Sequence, residues 1–169
     1  IYTARDMAHL RIIDWIAEGK PLPKDFNGAA IFHAGPIALK NSDNKWELNV
    51  IGPTTSIRME PYADLVGKLG VRAIIGKGGM GDDTLKAAQE YGYVYLQAAP
   101  GCAAKLAENV EKIEDVNWFE MGMPEAVWDL KVMEFGPLVV SMDTHGNSIY
   151  KDLKDKAYKK LDSIYPLYR

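Results

Sequence analysis

Apolar and polar positions fall in short blocks along this chain, and the period of the blocks changes from one to the next. From Asp6 to about Ala17 the pattern reads as an amphipathic helix: Met7, Leu10, Ile13 and Ile16 recur every three positions, with Arg11, Asp14 and Glu18 toward water. Gly19, then Pro21 and Pro23, end it. Ala29 to Ala34 reads as a buried strand ending at Gly35-Pro36, and Asn41 to Lys45 as a polar turn. Trp46 to Ile51 then reads as a strand that delivers Gly52-Pro53-Thr54-Thr55. Tyr62–Leu69 is helical in pattern, Val71–Ile75 a strand, Asp82–Tyr91 helical again, and Tyr93–Leu96 a short strand. This alternation predicts an α/β core with some parallel pairing.

Beyond the turn at Ala99-Pro100-Gly101, a helix is expected from Cys102 to about Asn109. Val116–Met121, Val127–Phe135 and Leu138–Asp143 read as strands, the last two separated by Gly136-Pro137. A charged amphipathic helix closes the sequence from Tyr150 to about Tyr165. No repeat, linker or low-complexity stretch divides residues 1–169, which therefore read as one domain.

Composition narrows the classes. The 169 residues are 47% apolar and 25% charged, with a formal charge of −3, which gives no general reason to expect nucleic acid. Cys102 is the sole cysteine, so the chain forms no internal disulfide and cannot by itself ligate a cysteine-held metal cluster. His9, His33 and His145 show no metal-ligand spacing. No secretory leader is expected from the residues that follow Ile1, and the apolar stretches are too short to cross a bilayer. The expectation is a cytoplasmic protein.

Candidate chemistry sits at strand ends. Lys77-Gly78-Gly79-Met80 follows the apolar run Val71–Gly76 and precedes a helix start at Asp82 and Asp83, an arrangement suited to an anion. It lacks the spacing of a nucleotide phosphate loop, so Lys77 reads as a point charge for a small acid or simply as a solvated lysine. Thr54 and Thr55 precede Arg58 by four and three residues. Hydroxyls, free N–H groups and a guanidinium can converge there on one carboxylate or phosphate. The plainer reading makes a threonine the helix cap and Arg58 a surface ion pair. Arg5 and His9 share a helix face, and Asp6 is placed to cap the first turn. His33 reads equally as a ligand contact or a structural histidine, His145 as a turn residue, and Cys102 as a buried or partly buried inert thiol. Trp118, Phe119, Trp128 and Phe135 read as core or interface.

Taken in order, six segments carry a resemblance: Arg5–His9, Ile31–Pro36, Gly52–Met59, Gly76–Met80, Gly122–Trp128 and Asp143–Ser148. The series resembles the β subunit, or C-terminal domain, of class I iron–sulfur fumarases and the related L-tartrate dehydratases, from Arg5 to about Tyr150. The resemblance implies a swivelling β/β/α-type fold with mixed sheets. It implies an active site shared with an α subunit that holds a 4Fe-4S cluster through three cysteines, in an α2β2 assembly. It places substrate binding on Arg5, Thr54, Thr55, Arg58 and Lys77, with Thr54 as base and Arg58 and Lys77 stabilising developing charge. Interconversion of L-malate and fumarate is the preferred reaction on metabolic generality alone. L-Tartrate dehydration and a non-catalytic small-anion-binding domain are the alternatives.

Overall fold

The computed structural model describes residues 1–164, so Tyr165, the expected end of the last helix, lies outside the described residues. In chain order the elements are β1 (Tyr2–Thr3), α1 (Asp6–Ala17), β2 (Ala30–Phe32), β3 (Ala34–Lys40) and β4 (Trp46–Pro53). A 3-10 helix (Ser56–Tyr62) leads into α2 (Ala63–Lys68), followed by β5 (Ala73–Gly76), α3 (Asp82–Tyr91) and β6 (Val94–Ala98). Then come α4 (Ala103–Glu108), β7 (Val110–Asn117), β8 (Val127–Val132), β9 (Leu138–Met142) and α5 (Ile149–Ile164).

Seven strands form one mixed sheet in the order β7-β8-β1-β2-β5-β6-β9, and β3 and β4 form a separate antiparallel hairpin. The four central strands run parallel, as the strand–helix alternation requires, and antiparallel strands close both edges. Ala8 and Ile12 of α1, Val66 of α2 and Leu85 and Ala88 of α3 fill the core on one face. On the other, Ala38 and Ile51 of the hairpin and Leu106 of α4 pack on Phe32, Ile75 and Trp128. Hairpin, sheet and helices make three layers: the fold is the mixed β/β/α arrangement expected.

Three local expectations are corrected. Met7, Leu10, Ile13 and Ile16 are 39–49% exposed, and α1 buries Ala8, His9 and Ile12 instead. Strict spacing by three drifts about 60° per step around a helix of 3.6 residues per turn, so such a row cannot face one core. The Ala29–Ala34 strand is cut at His33, where the chain leaves the main sheet and enters the hairpin. There the His33 N–H still donates to Ile75 O (2.8 Å), while its carbonyl accepts from Thr54 N (2.7 Å). The strand expected at Val116–Met121 stops at Asn117, because Trp118 takes a left-handed conformation (φ 58°) that sets its ring on Trp15, and Phe119–Met121 forms a 3-10 turn.

Candidate active site

The parallel strands β1, β2 and β5 all end toward the same edge, the place where open α/β sheets bind ligands. Arg5 lies two residues beyond β1, His33 directly follows β2, and Lys77 directly follows β5. The hairpin strand β4 returns to this edge and adds Thr54 and Thr55. Thr55 bridges to Lys77, Ser56 N donates to Lys77 O (3.1 Å) and Lys77 N donates to Thr54 O (3.3 Å). Two segments well separated in sequence are thus stitched into one backbone unit.

Arg58 reaches back across this unit. Its Nε and Nη2 donate to the Asp6 carboxylate at 2.9–3.3 Å, and Nη2 also donates to Thr54 Oγ1 at 3.1 Å. That hydrogen bonding from Arg58 holds the Asp6 carboxyl below its ordinary pKa. Arg5 Nε lies 3.2 Å from the Glu125 carboxylate, whose other oxygen accepts from Met7 N (3.1 Å) at the start of α1. Glu125, far away in sequence, therefore does the capping expected of Asp6. Thr55 stands at the N-cap of the 3-10 helix with no side-chain capping bond, and Thr54 spends its hydroxyl on Arg58. Lys77 makes no ion pair among the described residues.

The helix start after Lys77 does not serve an anion. The Glu60 carboxylate already accepts from Gly81 N, Asp83 N, Thr84 N and Thr84 Oγ1 at 2.6–3.0 Å. Glu60 thereby fixes the exit of the lysine turn and takes the amides that the sequence pattern assigned to a ligand. Gly78 is open, with φ +73°, whereas a Cβ on Gly79 would meet the Tyr150 ring at 2.8 Å. Gly78 is exposed and Gly79 half-buried.

His9 and His33 lie behind these side chains, fully buried. His145 is in a turn organised by Asp143, as expected. Trp128 is buried and Trp118 nearly so, while Phe119 is 43% exposed. Cys102 is exposed at the N-cap of α4, correcting the buried thiol expected there. Among the described residues no three His, Cys, Asp or Glu side chains are grouped to hold a metal ion. One exposed thiol does not fit the donor set of an iron–sulfur cluster. No sequence pattern marks Asp6, Glu60 and Glu125 as partners of the site. Glu125 and Glu60 leave no local signal, since each acts across a long sequence separation.

Fold and site together define an α/β domain that presents cations at strand ends beside an open edge. The family model described as "Fumarase C-terminus" matches residues 1–153. The L(+)-tartrate dehydratase subunit beta of Escherichia coli K12 is 46% identical over 165 residues, covering 97% of this chain and 80% of that one. A Methanocaldococcus jannaschii protein provisionally named L(+)-tartrate dehydratase subunit beta is 50% identical over 169 residues, 99% of this chain and 86% of its own. A Geobacillus stearothermophilus protein provisionally named fumarate hydratase class I is 47% identical over 165 residues, 97% of this chain but only 31% of that longer one. The chain belongs to the class I fumarase and L-tartrate dehydratase β-subunit family, a hydro-lyase family whose β subunits work with an α partner. No described helix is long and apolar enough to cross a membrane.

Proposed function

We propose that this chain is the β half of a hydro-lyase that removes water from a four-carbon 2-hydroxy dicarboxylate, with L-tartrate the favoured substrate. The observation that carries the reaction class is the stitching of Thr54, Arg58 and Lys77 into one cationic edge at the ends of parallel strands. Arg58 and Arg5, each held on one side by Asp6 or Glu125, offer their remaining N–H groups to a carboxylate, and Lys77 offers an ammonium unpaired among the described residues. Dehydration takes a proton from the carbon beside one carboxylate and expels the hydroxyl of the neighbouring carbon as water. Charge then builds on that carboxylate, and Arg58 and Lys77 stabilise it more than they bind the starting acid. Thr54, whose oxygen accepts from a guanidinium, is the group nearest in chemistry to a proton acceptor, its hydroxyl proton being easier to lose beside that charge.

The 4Fe-4S cluster belongs on the α partner, because this chain lacks the donors to hold one, and when bound it supplies a Lewis acid for the leaving hydroxyl. An α2β2 assembly is part of the same proposal. Tartrate is favoured over malate because the two tartrate dehydratase relatives are separate subunits that this chain spans by 80% and 86%. The fumarase relative keeps L-malate and fumarate as the second reading. Co-expression with the cluster-bearing partner, anaerobic reconstitution, and dehydration of L-tartrate against L-malate test it. Faster turnover of tartrate supports the first reading, and faster turnover of malate moves the substrate to the second. Turnover of neither by an assembled, cluster-loaded complex sinks the reaction class.

A further inference from the structure

Beneath the cationic edge, the buried side chains of Ser56 and Tyr95 meet at Gly76, and His33 joins them through Ser56. His33 Nδ1 lies 3.0 Å from Ser56 Oγ, and both residues are fully buried or nearly so. A Cβ on Gly76 would come within 1.8 Å of Ser56 Oγ and 3.2 Å of the Tyr95 hydroxyl, so both oxygens crowd against the same α-carbon. The Tyr95 hydroxyl donates to Gly78 O at 3.1 Å. The His33 ring bonds Ser56 inside the Thr54–Arg58 segment and the Tyr95 hydroxyl bonds Gly78 in the lysine turn, beside the backbone bonds Thr54 N to His33 O and Ser56 N to Lys77 O.

We propose that His33, Ser56 and Tyr95 are positioning residues that hold the Thr54–Arg58 segment and the Lys77–Gly78 turn at the separation a dicarboxylate requires. This rests on the proposed hydro-lyase function and deepens it. The unit is uncharged. Burial lowers the His33 pKa well below the ordinary value, and the ring of His9, edge-on at 5.6 Å, pushes it the same way; of the charged groups facing it, Asp6 raises it and Arg58 lowers it. His9 is in turn stacked on Tyr62 (5.1 Å) and bonded through Nδ1 to the Arg5 carbonyl (2.8 Å), which as an acceptor fixes the proton on Nδ1. The Nε2 atoms of both histidines are buried without a hydrogen-bond partner. The side-chain bonds of the three residues end on Ser56 and Gly78, one in each of the two functional segments.

The test uses the assembled complex with Ser56→Ala, Tyr95→Phe, His33→Leu and His33→Asn, the last keeping a hydrogen-bonding group near the Nδ1 position. Amide hydrogen exchange at Ser56 and Lys77 is read beside KM and kcat for the dicarboxylate. Ser56→Ala and His33→Leu are expected to speed exchange at those two amides by about tenfold, with Leu130 in β8 unchanged. kcat should fall and KM rise, together lowering kcat/KM by about tenfold or more, and His33→Asn should stay within about threefold of wild type in both. A smaller local effect from Tyr95→Phe is expected. Equal acceleration at Leu130 and the two loop amides, or His33→Asn as damaged as His33→Leu, would overturn positioning in favour of a general structural role. So would wild-type exchange and KM in a folded Ser56→Ala complex. If His33→Leu fails to assemble, Ser56→Ala and Tyr95→Phe decide. If the wild-type complex dehydrates neither acid, the reaction class falls and the exchange comparison alone judges the positioning unit.

Discussion

Arg58 bonds Asp6 through two nitrogens and Thr54 through one, so its guanidinium is held in place with only Nη1 left over for a ligand. Arg58 and Asp6 side chains are 42% and 35% exposed, and a pair so wet contributes well under about 1 kcal/mol to folding. Aiming, rather than stability, is what the pair supplies. Arg58→Lys keeps the charge and loses the fork. It should lower kcat/KM by about a hundredfold, the loss of roughly 3 kcal/mol of charge-assisted hydrogen bonding in the transition state. The melting temperature should stay within about 2 °C, as for other exposed ion pairs. Steady-state kinetics and a thermal melt on the same complex check both halves. That Arg58, Thr54 and Lys77 come together was legible in the sequence from the Gly- and Pro-marked strand ends, and the Arg58 ion pair is the one the plainer reading expected. Asp6 as their partner was not, since a capping role and an ion pair across 52 residues look alike in one dimension.

At the scale of elements, the hydrophobic pattern placed α1 and α3 at the right residues but turned α1 the wrong way. The helix buries Ile12 completely and leaves Leu10 49% exposed. Ile12→Ala is therefore expected to cost about 2–5 kcal/mol and Leu10→Ala less than about 1 kcal/mol in denaturant unfolding. The reverse order would restore the simple every-third-residue reading. Gly76 carries a second prediction. Its missing Cβ makes room for Ser56, so Gly76→Ala should destabilise by about 1–3 kcal/mol by overpacking and raise KM as Ser56→Ala does. Chemical denaturation and kinetics separate the two effects. The β3–β4 hairpin was half visible: the turn at Asn41–Lys45 and β4 were marked, but β3 was hidden because Ala34-Gly35-Pro36 reads as an end. Gly35 is in fact small so that Pro124 can pack against it, where a Cβ would lie 2.8 Å away.

For the whole molecule, three layers leave the cationic edge open and put two neutral histidines directly under it. Burial lowers the pKa of His9 from about 6.5 to about 4, and that of His33 in the same direction. As pH falls through the ordinary histidine range, the unfolded chain takes up protons that the folded chain refuses. Stability must then drop from near pH 7 toward pH 4. His9 alone accounts for about 2 kcal/mol between pH 7 and pH 5. Urea unfolding at these two pH values should show that loss, and His9→Gln should show a smaller difference even if its absolute stability is lower. An equal pH-dependence in the variant would remove the histidine from the account. The layered α/β class was readable from alternating periods, whereas the buried network was not, because His33, Ser56 and Tyr95 come from separate elements with no common spacing.

On the proposed function, the chain supplies the anion-holding half of a site completed by a partner. The direct measurement is dicarboxylate dehydration by the chain alone, by the cluster-loaded partner alone, and by the two mixed, with wild type and Lys77→Ala side by side. Turnover is predicted only in the wild-type mixture, falling by about a hundredfold or more with Lys77→Ala while the complex still assembles. Turnover by this chain alone, or an unchanged rate in the assembled Lys77→Ala complex, would contradict it.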